Sequence, residues 1–248
     1  MKRTFVALLV SASLLPFAGP SEAVTAEDRM PGPTRGRQQL HFEDVPRADG
    51  VDESGCTRVA GPFQQQAERY LRRPADGEQS TDDCRAIRRF QKAHRISPAS
   101  GYAGPVTGAV VRLMGARRDP NRAGRCPDRP ERTACVDLGR QLLWVQQKGR
   151  VVFAPVPIRS GVPSMATRTG TFRIYHRSKR HVSSLYHSSM PFAQFFDGGE
   201  ALHGVSDDIY EGEGSHGCVN LFRSDARALW NVLKKGDMVH VWGRKPSG

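Results

Sequence analysis

The sequence has 248 residues, a hydrophobic fraction of 38% and a mean hydropathy of −0.52. These values fit soluble globular domains joined by polar connectors and exclude a chain dominated by membrane spans. The formal net charge of +12 favours anionic partners such as nucleic acid, a membrane surface or an anionic polymer. Because the lysines and arginines are scattered, they predict a generally basic surface rather than a nucleic-acid-binding motif.

The N-terminus has the three parts of a secretory signal peptide. Lys2 and Arg3 precede an apolar stretch at 5–17, and Ser21-Glu22-Ala23 supplies a small-x-small cleavage site. We therefore expect residues 1–23 to be removed and the protein to be exported to the cell wall or the extracellular space. The alternative is an uncleaved membrane anchor, although the apolar stretch is short for a membrane span. Residues 24–54 are rich in Pro, Gly, Asp, Glu and Arg, which predicts a flexible linker.

Export would permit disulfides, and the chain has five cysteines. An odd number leaves one cysteine unpaired. The most economical pairing joins Cys56 to Cys84 and Cys126 to Cys135, which leaves Cys218 free. The sequence alone does not fix this connectivity.

Residues 55–116 predict a small all-α module of three helices. Phe63, Ala67, Tyr70 and Leu71 fall on one helical face, and Thr81 or Asp82 is expected to cap a second helix. The third helix is expected to begin at Gly104-Pro105, with proline in its first turn, and to end near Gly115. A core this small would benefit from a disulfide.

Residues 117–134 are Arg-, Pro- and Asp-rich, which predicts a second linker before a mostly-β domain at 135–246. Two apolar, β-prone runs flank Lys148-Gly149, which is typical of a β-hairpin. Residues 169–175 and 237–242 alternate as further strands. One clear helix is expected, capped by Ser224 and ending at Lys234-Lys235-Gly236.

The segment GEGSHGCVNLF contains the free Cys218. A cysteine nucleophile needs a partner that takes its proton, and two histidines are candidates. His216 lies two residues upstream, and His203 lies fifteen residues upstream across a glycine-rich loop. Two other interpretations stay open: Cys218 as a small buried hydrophobe, or a zinc site built from His203, His216, Cys218 and Asp207.

These residues resemble the signature of the L,D-transpeptidase catalytic domain, in which a histidine and a spacer precede Ser/Thr-His-Gly-Cys, an apolar residue and Asn or Arg. The matching segments in this sequence are ALHGV and SHGCVNL, with supporting likenesses in TRTGTFRI and MPFAQFF. Arg168 stands where proline is common in the family, and the spacer between His203 and Ser215 is short. The resemblance covers residues 135–246 and implies a β-sandwich-like fold.

The resemblance also implies roles for individual residues. Cys218 would be the nucleophile and His203 the general base, oriented by the carbonyl of Gly204. The oxyanion hole would come from the backbone of His216, Gly217 and Cys218. Ser215 and Asn220 would hold the loop or contact the substrate, and Met190 and Phe192 would line the substrate site. His181, Tyr186 and His187 lie in a polar segment for which two interpretations stay open, residues that line the cleft and solvated loop residues; we expect the second rather than a catalytic role.

The activity implied by the resemblance is peptidoglycan cross-linking without a metal or organic cofactor. A tetrapeptide donor would acylate Cys218, and the amine of a diamino acid in a second stem would resolve the thioester into a 3→3 cross-link. Carbapenems would be expected to acylate the same cysteine. The alternatives are an L,D-carboxypeptidase that uses water, and a wall-binding protein with an inactive catalytic domain.

Within the helical module, IRRFQKAHRI and GYAGPVTGAVVRL are similar to the small peptidoglycan-binding domain. This resemblance covers about residues 56–116 and implies a cell-wall polymer as the ligand. The alternative is a helical spacer without a ligand.

Overall fold

We analysed a computed structural model that describes residues 41–43 and 55–246. The predicted signal peptide and nearly all of the predicted linker at 24–54 lie outside these residues. No helix in the described part of the chain is long and apolar enough to cross a membrane.

Three helices form the N-terminal part of the described chain. Its helices and short strands are α1 (Gln64–Leu71), α2 (Thr81–Ala93), α3 (Pro105–Ala116), β1 (His41–Phe42) and β2 (Ile96–Ser97). Ile87, Phe90 and Val110 are among the residues of their shared core. Pro105 occupies the first turn of α3, as predicted. The resemblance of this part to a peptidoglycan-binding domain stays a prediction.

The predicted cap of α2 is wrong by one residue. Ser80 is the N-cap, because its extended backbone lets its hydroxyl accept a hydrogen bond from the Asp83 amide at 3.1 Å. Thr81 and Asp82 lie inside the first turn. Asp82 and Asp83 still favour this end of the helix, since negative charge is stabilised near a helix N-terminus.

Both expected disulfides are present. Cys56 bonds to Cys84 and anchors the segment before α1 to α2, with Cα atoms 5.9 Å apart. Cys126 bonds to Cys135 at a Cα separation of 5.7 Å, which ties residues 117–132 to the first strand of the β part. Cys218 is the free cysteine.

The β part contains a five-stranded sheet with the order β5-β4-β3-β11-β6. Its strands are β3 (Thr133–Asp137), β4 (Leu142–Gln147), β5 (Arg150–Pro157), β6 (Gly170–Arg173) and β11 (Met238–Trp242). β4 and β5 form the predicted hairpin, and Lys148 and Gly149 turn it with φ values of 51° and 70°. β11 pairs in parallel with β3 and antiparallel with β6.

A second sheet of four strands has the order β10-β9-β8-β7. Its strands are β7 (His176–Val182), β8 (Ser189–Asp197), β9 (Glu200–Val205) and β10 (Val219–Phe222). β9 and β10 are parallel, whereas the other neighbours are antiparallel. One core cluster draws residues from both sheets, including Val145, Leu202 and Leu221. This mostly-β architecture agrees with the predicted fold class.

The β part has one α-helix in the described residues, α4 (Arg223–Val232). Leu229 and Leu233 are fully buried in the same core as the two sheets. The prediction that Ser224 caps this helix is wrong, because Phe222 occupies the N-cap position without a side-chain cap. β10 runs directly into α4, so no turn separates the strand from the helix.

The helical and β parts contact each other through the loop at 206–214. The Tyr210 ring packs against the helical core and lies 4.9 Å from the His41 ring and 5.7 Å from the Phe222 ring, centroid to centroid. His41 Nδ1 lies 3.2 Å from an Asp208 carboxylate oxygen. The loop that follows β9 is therefore held from the helical side.

Candidate active site

A cavity of about 610 Å³ opens where β9 and β10 meet. It is lined by several residues that the sequence singles out: Met190, His203, Ser215, His216, Cys218 and Asn220. The sheet, the loop at 183–188 and the loop after β9 contribute its walls. The fold therefore gathers residues from distant segments around the free cysteine.

The parallel pairing of β9 and β10 places Cys218 and His203 on the same face of the sheet. Asn220 lies opposite His203 and Val219 lies opposite Leu202. Because side chains alternate along a strand, Cys218 shares its face with Asn220, and therefore with His203. The Cys218 side chain packs beside Met190, Phe195 and other buried residues of β8 and β9. The thiol and the imidazole that was predicted to be its base therefore share one face of the sheet and one cavity.

His203 is almost fully buried, and both of its ring nitrogens have partners. Nδ1 lies 2.9 Å from the Gly204 carbonyl oxygen, as the family resemblance implied. Nε2 lies 3.0 Å from the Asn220 amide nitrogen. Burial lowers the pKa of His203, which leaves the imidazole neutral at neutral pH. A neutral imidazole in this position can accept a proton.

Burial has the opposite effect on Cys218, whose pKa is raised. A hydrogen bond from the Ala201 backbone acts in the lowering direction, and the nearby Glu200 carboxyl acts in the raising direction. The resting site therefore holds a thiol and a neutral imidazole rather than a thiolate–imidazolium pair. A proton transfer has to accompany nucleophilic attack.

The backbone around Cys218 is held by Ser215 and shaped by Gly217. The Ser215 hydroxyl donates to the Cys218 carbonyl, and Ser215 forms a bridge with Gly161 of the neighbouring loop. Gly217 has φ of 109°, and a Cβ there would lie 3.0 Å from a Glu200 carboxylate oxygen. A side chain at 217 would be strained and crowded, so glycine is required next to the cysteine.

The structure distinguishes His216 from His203. His216 is exposed, and its ring stacks on Tyr186 at a centroid distance of 4.4 Å with an interplanar angle of 10°. Tyr186 is exposed in its loop, as expected, and it also lines the cavity. His187 is exposed in the same loop, whereas His181 packs against Phe195 at 4.9 Å.

The two predicted substrate-lining residues of β8 behave differently. Met190 is buried and lines the cavity beside Cys218. Phe192 is absent from the cavity lining and packs against Trp230 of α4, with centroids 6.2 Å apart. Its φ of 60° breaks the regular alternation of the strand and turns the side chain to the other face. Phe192 instead lines a separate cavity of about 580 Å³, so its role in substrate binding stays a prediction.

Three charged residues of the cavity were not predicted as functional: Arg159, Arg168 and Glu200. Glu200 is buried, and burial raises its pKa despite the opposing hydrogen bond and charge of Arg168. Arg168 Nε also pairs with Asp197 at 2.6 Å. A sequence signal for Glu200 exists, since it is the one acid in the apolar run EALHGV that leads to His203.

The zinc alternative required a cluster of His203, His216, Cys218 and Asp207. Residues 41–43 and 55–246 contain no group of three or more His, Cys, Asp or Glu side chains placed to bind a metal ion. The described part of the chain therefore gives this alternative no support.

Comparisons with known proteins agree with this geometry. The YkuD family model, described as the L,D-transpeptidase catalytic domain, matches residues 131–241. A solved L,D-transpeptidase from Stackebrandtia nassauensis is 37% identical with a TM-score of 0.57, and the match covers 82% of this chain and 99% of that one. The chain belongs to the L,D-transpeptidase family. The Stackebrandtia match covers more of this chain than residues 131–241 alone could supply, so it extends into the helical part.

Other L,D-transpeptidases match with lower similarity. The one from Xylanimonas cellulosilytica is 25% identical with a TM-score of 0.43, and the match covers 80% of this chain and 100% of that one. The one from Mycobacterium smegmatis is 22% identical with a TM-score of 0.43, and the match covers 46% of this chain and 59% of that one. No curated protein sequence matches the chain.

Proposed function

We propose that this L,D-transpeptidase is exported and cross-links peptidoglycan through a thioester on Cys218. One observation carries the proposal: a single unpaired thiol and a buried, neutral histidine share one face of the sheet and line the same open cavity. The family acts on peptidoglycan peptides, so a stem peptide is the natural occupant of the cavity.

In the first half-reaction, His203 takes the thiol proton while the Cys218 sulfur attacks the carbonyl carbon of the third stem residue. Backbone N–H groups at His216, Gly217 and Cys218 are the proposed donors to the developing oxyanion. The C–N bond to the terminal D-Ala then breaks, and His203 returns the proton to the leaving amine. Free D-Ala departs and the acyl group stays on sulfur.

In the second half-reaction, the side-chain amine of a diamino acid in another stem attacks the thioester. His203 accepts a proton from the amine, the C–S bond breaks and the thiol is restored. The product is a 3→3 cross-link. Water attacking the same thioester would make the enzyme an L,D-carboxypeptidase.

The helical part is the proposed wall-binding element. A tether of this kind raises the effective concentration of the catalytic part near its polymer even when the binding is weak. The net charge of +12 would favour an anionic wall. The N-terminal sequence supports export as the route to that compartment.

Intact-mass spectrometry of the secreted protein tests the acyl-enzyme. We expect a carbapenem and a tetrapeptide stem each to give one covalent adduct that maps to Cys218, the latter with loss of D-Ala. Cys218→Ala is the matched control and should give none. A folded wild-type protein with a titratable thiol but no adduct, or an adduct that persists in Cys218→Ala, would refute the nucleophile assignment.

Product analysis separates transpeptidation from hydrolysis. With tetrapeptide donor and a diamino-acid-containing acceptor stem, cross-linked dimer should exceed free tripeptide. Predominant tripeptide would favour the L,D-carboxypeptidase. EDTA should leave both products unchanged, since a thiol enzyme needs no metal; loss of activity in EDTA would revive the zinc alternative.

A further inference from the structure

We propose that Arg159 is a positioning residue that acts through Asn220 to fix which nitrogen of His203 carries the proton. This inference rests on the proposed cysteine acyl transfer. It concerns a residue that the family signature does not contain and that lies 59 residues before Cys218 in the sequence.

Arg159 follows β5 and is held on several sides. Its side chain is only 12% exposed, and Nη2 donates to Asp207 at 2.6 Å. Nη1 donates to the carbonyl oxygens of Asp208 and Glu211 at 3.2 and 2.6 Å. The remaining donor, Nε, lies 3.3 Å from the Asn220 side-chain oxygen. The two Nη atoms thus bind the loop at 206–214, while Nε points toward the catalytic sheet.

The backbones of Arg159 and Asn220 are also joined. The Arg159 amide donates to the Asn220 carbonyl at 3.0 Å, and the Asn220 amide donates to the Arg159 carbonyl at 2.9 Å. These two bonds bring the guanidinium and the side-chain amide to the same place. The Nε contact is therefore built into the fold rather than made by a free surface arginine.

The chemistry of the donors sets the direction of the hydrogen bonds that run from Arg159 through Asn220 to His203. A guanidinium only donates, so the Asn220 side chain must turn its oxygen toward Arg159 and its NH₂ group toward His203. His203 Nε2 must then accept a hydrogen bond, and the ring proton lies on Nδ1, where the Gly204 carbonyl accepts it. The groups at the two ends of this hydrogen-bonded series cannot reverse their roles, because the Arg159 guanidinium only donates and the Gly204 carbonyl only accepts.

This direction matters for the thiol. In the fixed tautomer, Nε2 is the ring nitrogen that carries the lone pair, so it is the proposed acceptor of the Cys218 proton; in the structure it accepts a hydrogen bond from Asn220. Without Arg159, the Asn220 amide is free to turn its oxygen toward His203. A carbonyl oxygen there favours a proton on Nε2, either as the other tautomer or as the imidazolium.

Charge acts in the same direction as the hydrogen bonds. The groups whose charge acts on the pKa of His203 are Arg159, His181 and Asp207, and Cys218 shares its face of the sheet. The cavity lining also holds the titratable side chains of Arg168, Tyr186, Glu200 and His216. Arg159 disfavours the imidazolium and Asp207 favours it. Removing Arg159 leaves Asp207 without its partner, so we expect the pKa of His203 to rise and acylation to require a higher pH.

The test measures the second-order rate of carbapenem acylation against pH for wild type, Arg159→Met and Arg159→Lys. Arg159→Met should lower the plateau rate about 10- to 100-fold and move the acid limb to higher pH. Arg159→Lys keeps the charge but loses the Nε geometry, so its acid limb should stay near that of wild type while its rate stays low. Arg140→Met, which removes an arginine bound to Asp137 outside the cavity, should leave both unchanged.

Long-range ¹H–¹⁵N spectra of the histidine rings give a readout that needs no substrate. Comparison with His203→Gln assigns the His203 signals, which should show Nδ1–H in wild type and a shift toward Nε2–H or imidazolium in Arg159→Met. Asn220→Asp presents only oxygens to His203 and should reproduce that shift even if Arg159→Met does not fold.

The outcomes separate two failures. An unchanged His203 tautomer and an unchanged acid limb in Arg159→Met would reduce Arg159 to an anchor of the loop at 206–214 and overturn the inference. A wild-type protein that shows the predicted tautomer yet is never acylated would instead contradict the proposed function.

Discussion

The helical part and the cavity at Cys218 both bury polar side chains, but these side chains differ in how many hydrogen-bond partners they have. Gln91 of α2 is fully buried and makes three hydrogen bonds, to the Tyr102 carbonyl, the Thr107 hydroxyl and the Gly101 amide, at 2.8 to 3.0 Å. At the cavity, the Cys218 thiol has only a long contact of 3.9 Å to the Gly199 carbonyl as a donor. Burial alone therefore does not identify a reactive group.

The carboxyl groups of the two regions show the same contrast. Burial acts to raise the pKa of Asp83, but hydrogen bonds from Ser80 and Arg73 outweigh it and the pKa is lowered. Burial also acts on Glu200, and there the hydrogen bond and charge of Arg168 are too weak to compensate, so the pKa is raised. In these two carboxyls the donors, rather than burial, decide the direction of the pKa shift.

The largest expected effect is the difference in acylation rate between variants of the two cavity histidines, His203 and His216. His203→Gln should lower the acylation rate about 10²- to 10⁴-fold, because it removes the group placed to take the thiol proton. His216→Gln should lower it less than about tenfold, since His216 stacks on Tyr186 outside the sheet. The measurement is single-turnover acylation by a carbapenem, and the reverse order of the two effects would exchange their roles.

Replacing Gln91 should affect stability and leave the chemistry unchanged. Gln91→Leu strands three buried partners, so the free energy of unfolding should fall by about 2–4 kcal/mol. Gln65→Leu is the matched control on α1, where the side chain is exposed, and should change stability by about 0.5 kcal/mol or less. Denaturant unfolding measures both. A slower acylation rate in fully folded Gln91→Leu would contradict the separation of the two regions.

Asp225 gives a pH-dependent test. Burial raises its pKa to about 6, so the folded state binds a proton more tightly than the unfolded state. At neutral pH the ionised Asp225 therefore lowers the free energy of unfolding. This free energy rises as pH falls through about 6 and levels off below the unfolded pKa near 4. Asp225→Asn should raise the free energy of unfolding at pH 7 by about 2 kcal/mol, allowing for the favourable effect of the helix N-terminus on the charge. At pH 4 the two proteins should be nearly equal; an equal gain at both values would exclude this titration as the cause.

The smallest expected effect concerns the thiol itself. Glu200→Gln removes a negative charge that acts to raise the pKa of Cys218. At about pH 7.5, alkylation of Cys218 by iodoacetamide should become about threefold faster. The pH profile of the alkylation rate should move to lower pH. Glu78→Gln, at an exposed acid of the helical part, should change neither. A slower reaction in Glu200→Gln would show that the charge of Glu200 does not act on the sulfur.

Local sequence predicted the elements whose causes are local. Lys148-Gly149 adopts the positive φ values of a tight turn, and Pro105 begins α3, because these residues act through their own backbone preferences. Strand β7 was missed because HRSKRHV has no apolar alternation. It lies at the edge of its sheet, and its pairing with β8 defines it.

The sequence predicted the site residues that lie in short recognisable segments. It did not predict the residues that reach the site only when distant strands come together. The SHGC segment and His203 identified the cavity, whereas Arg159 reaches Asn220 only after β5 and β10 are brought together. Phe192 faces α4 rather than the cavity of Cys218 because its positive φ interrupts the alternation of β8. Neither feature has a signal within a few residues of sequence.

Tyr210 has a consequence for protein engineering. Its ring belongs to the core of the helical part, yet the chain that carries it continues directly from the strand of His203. A chimera that joins this catalytic part to another family member's helical part would leave that ring without its partner. A chimera should therefore transfer residues 206–214 together with the helices. A single crossover point within residues 117–132 would separate Tyr210 from the helical residues against which it packs.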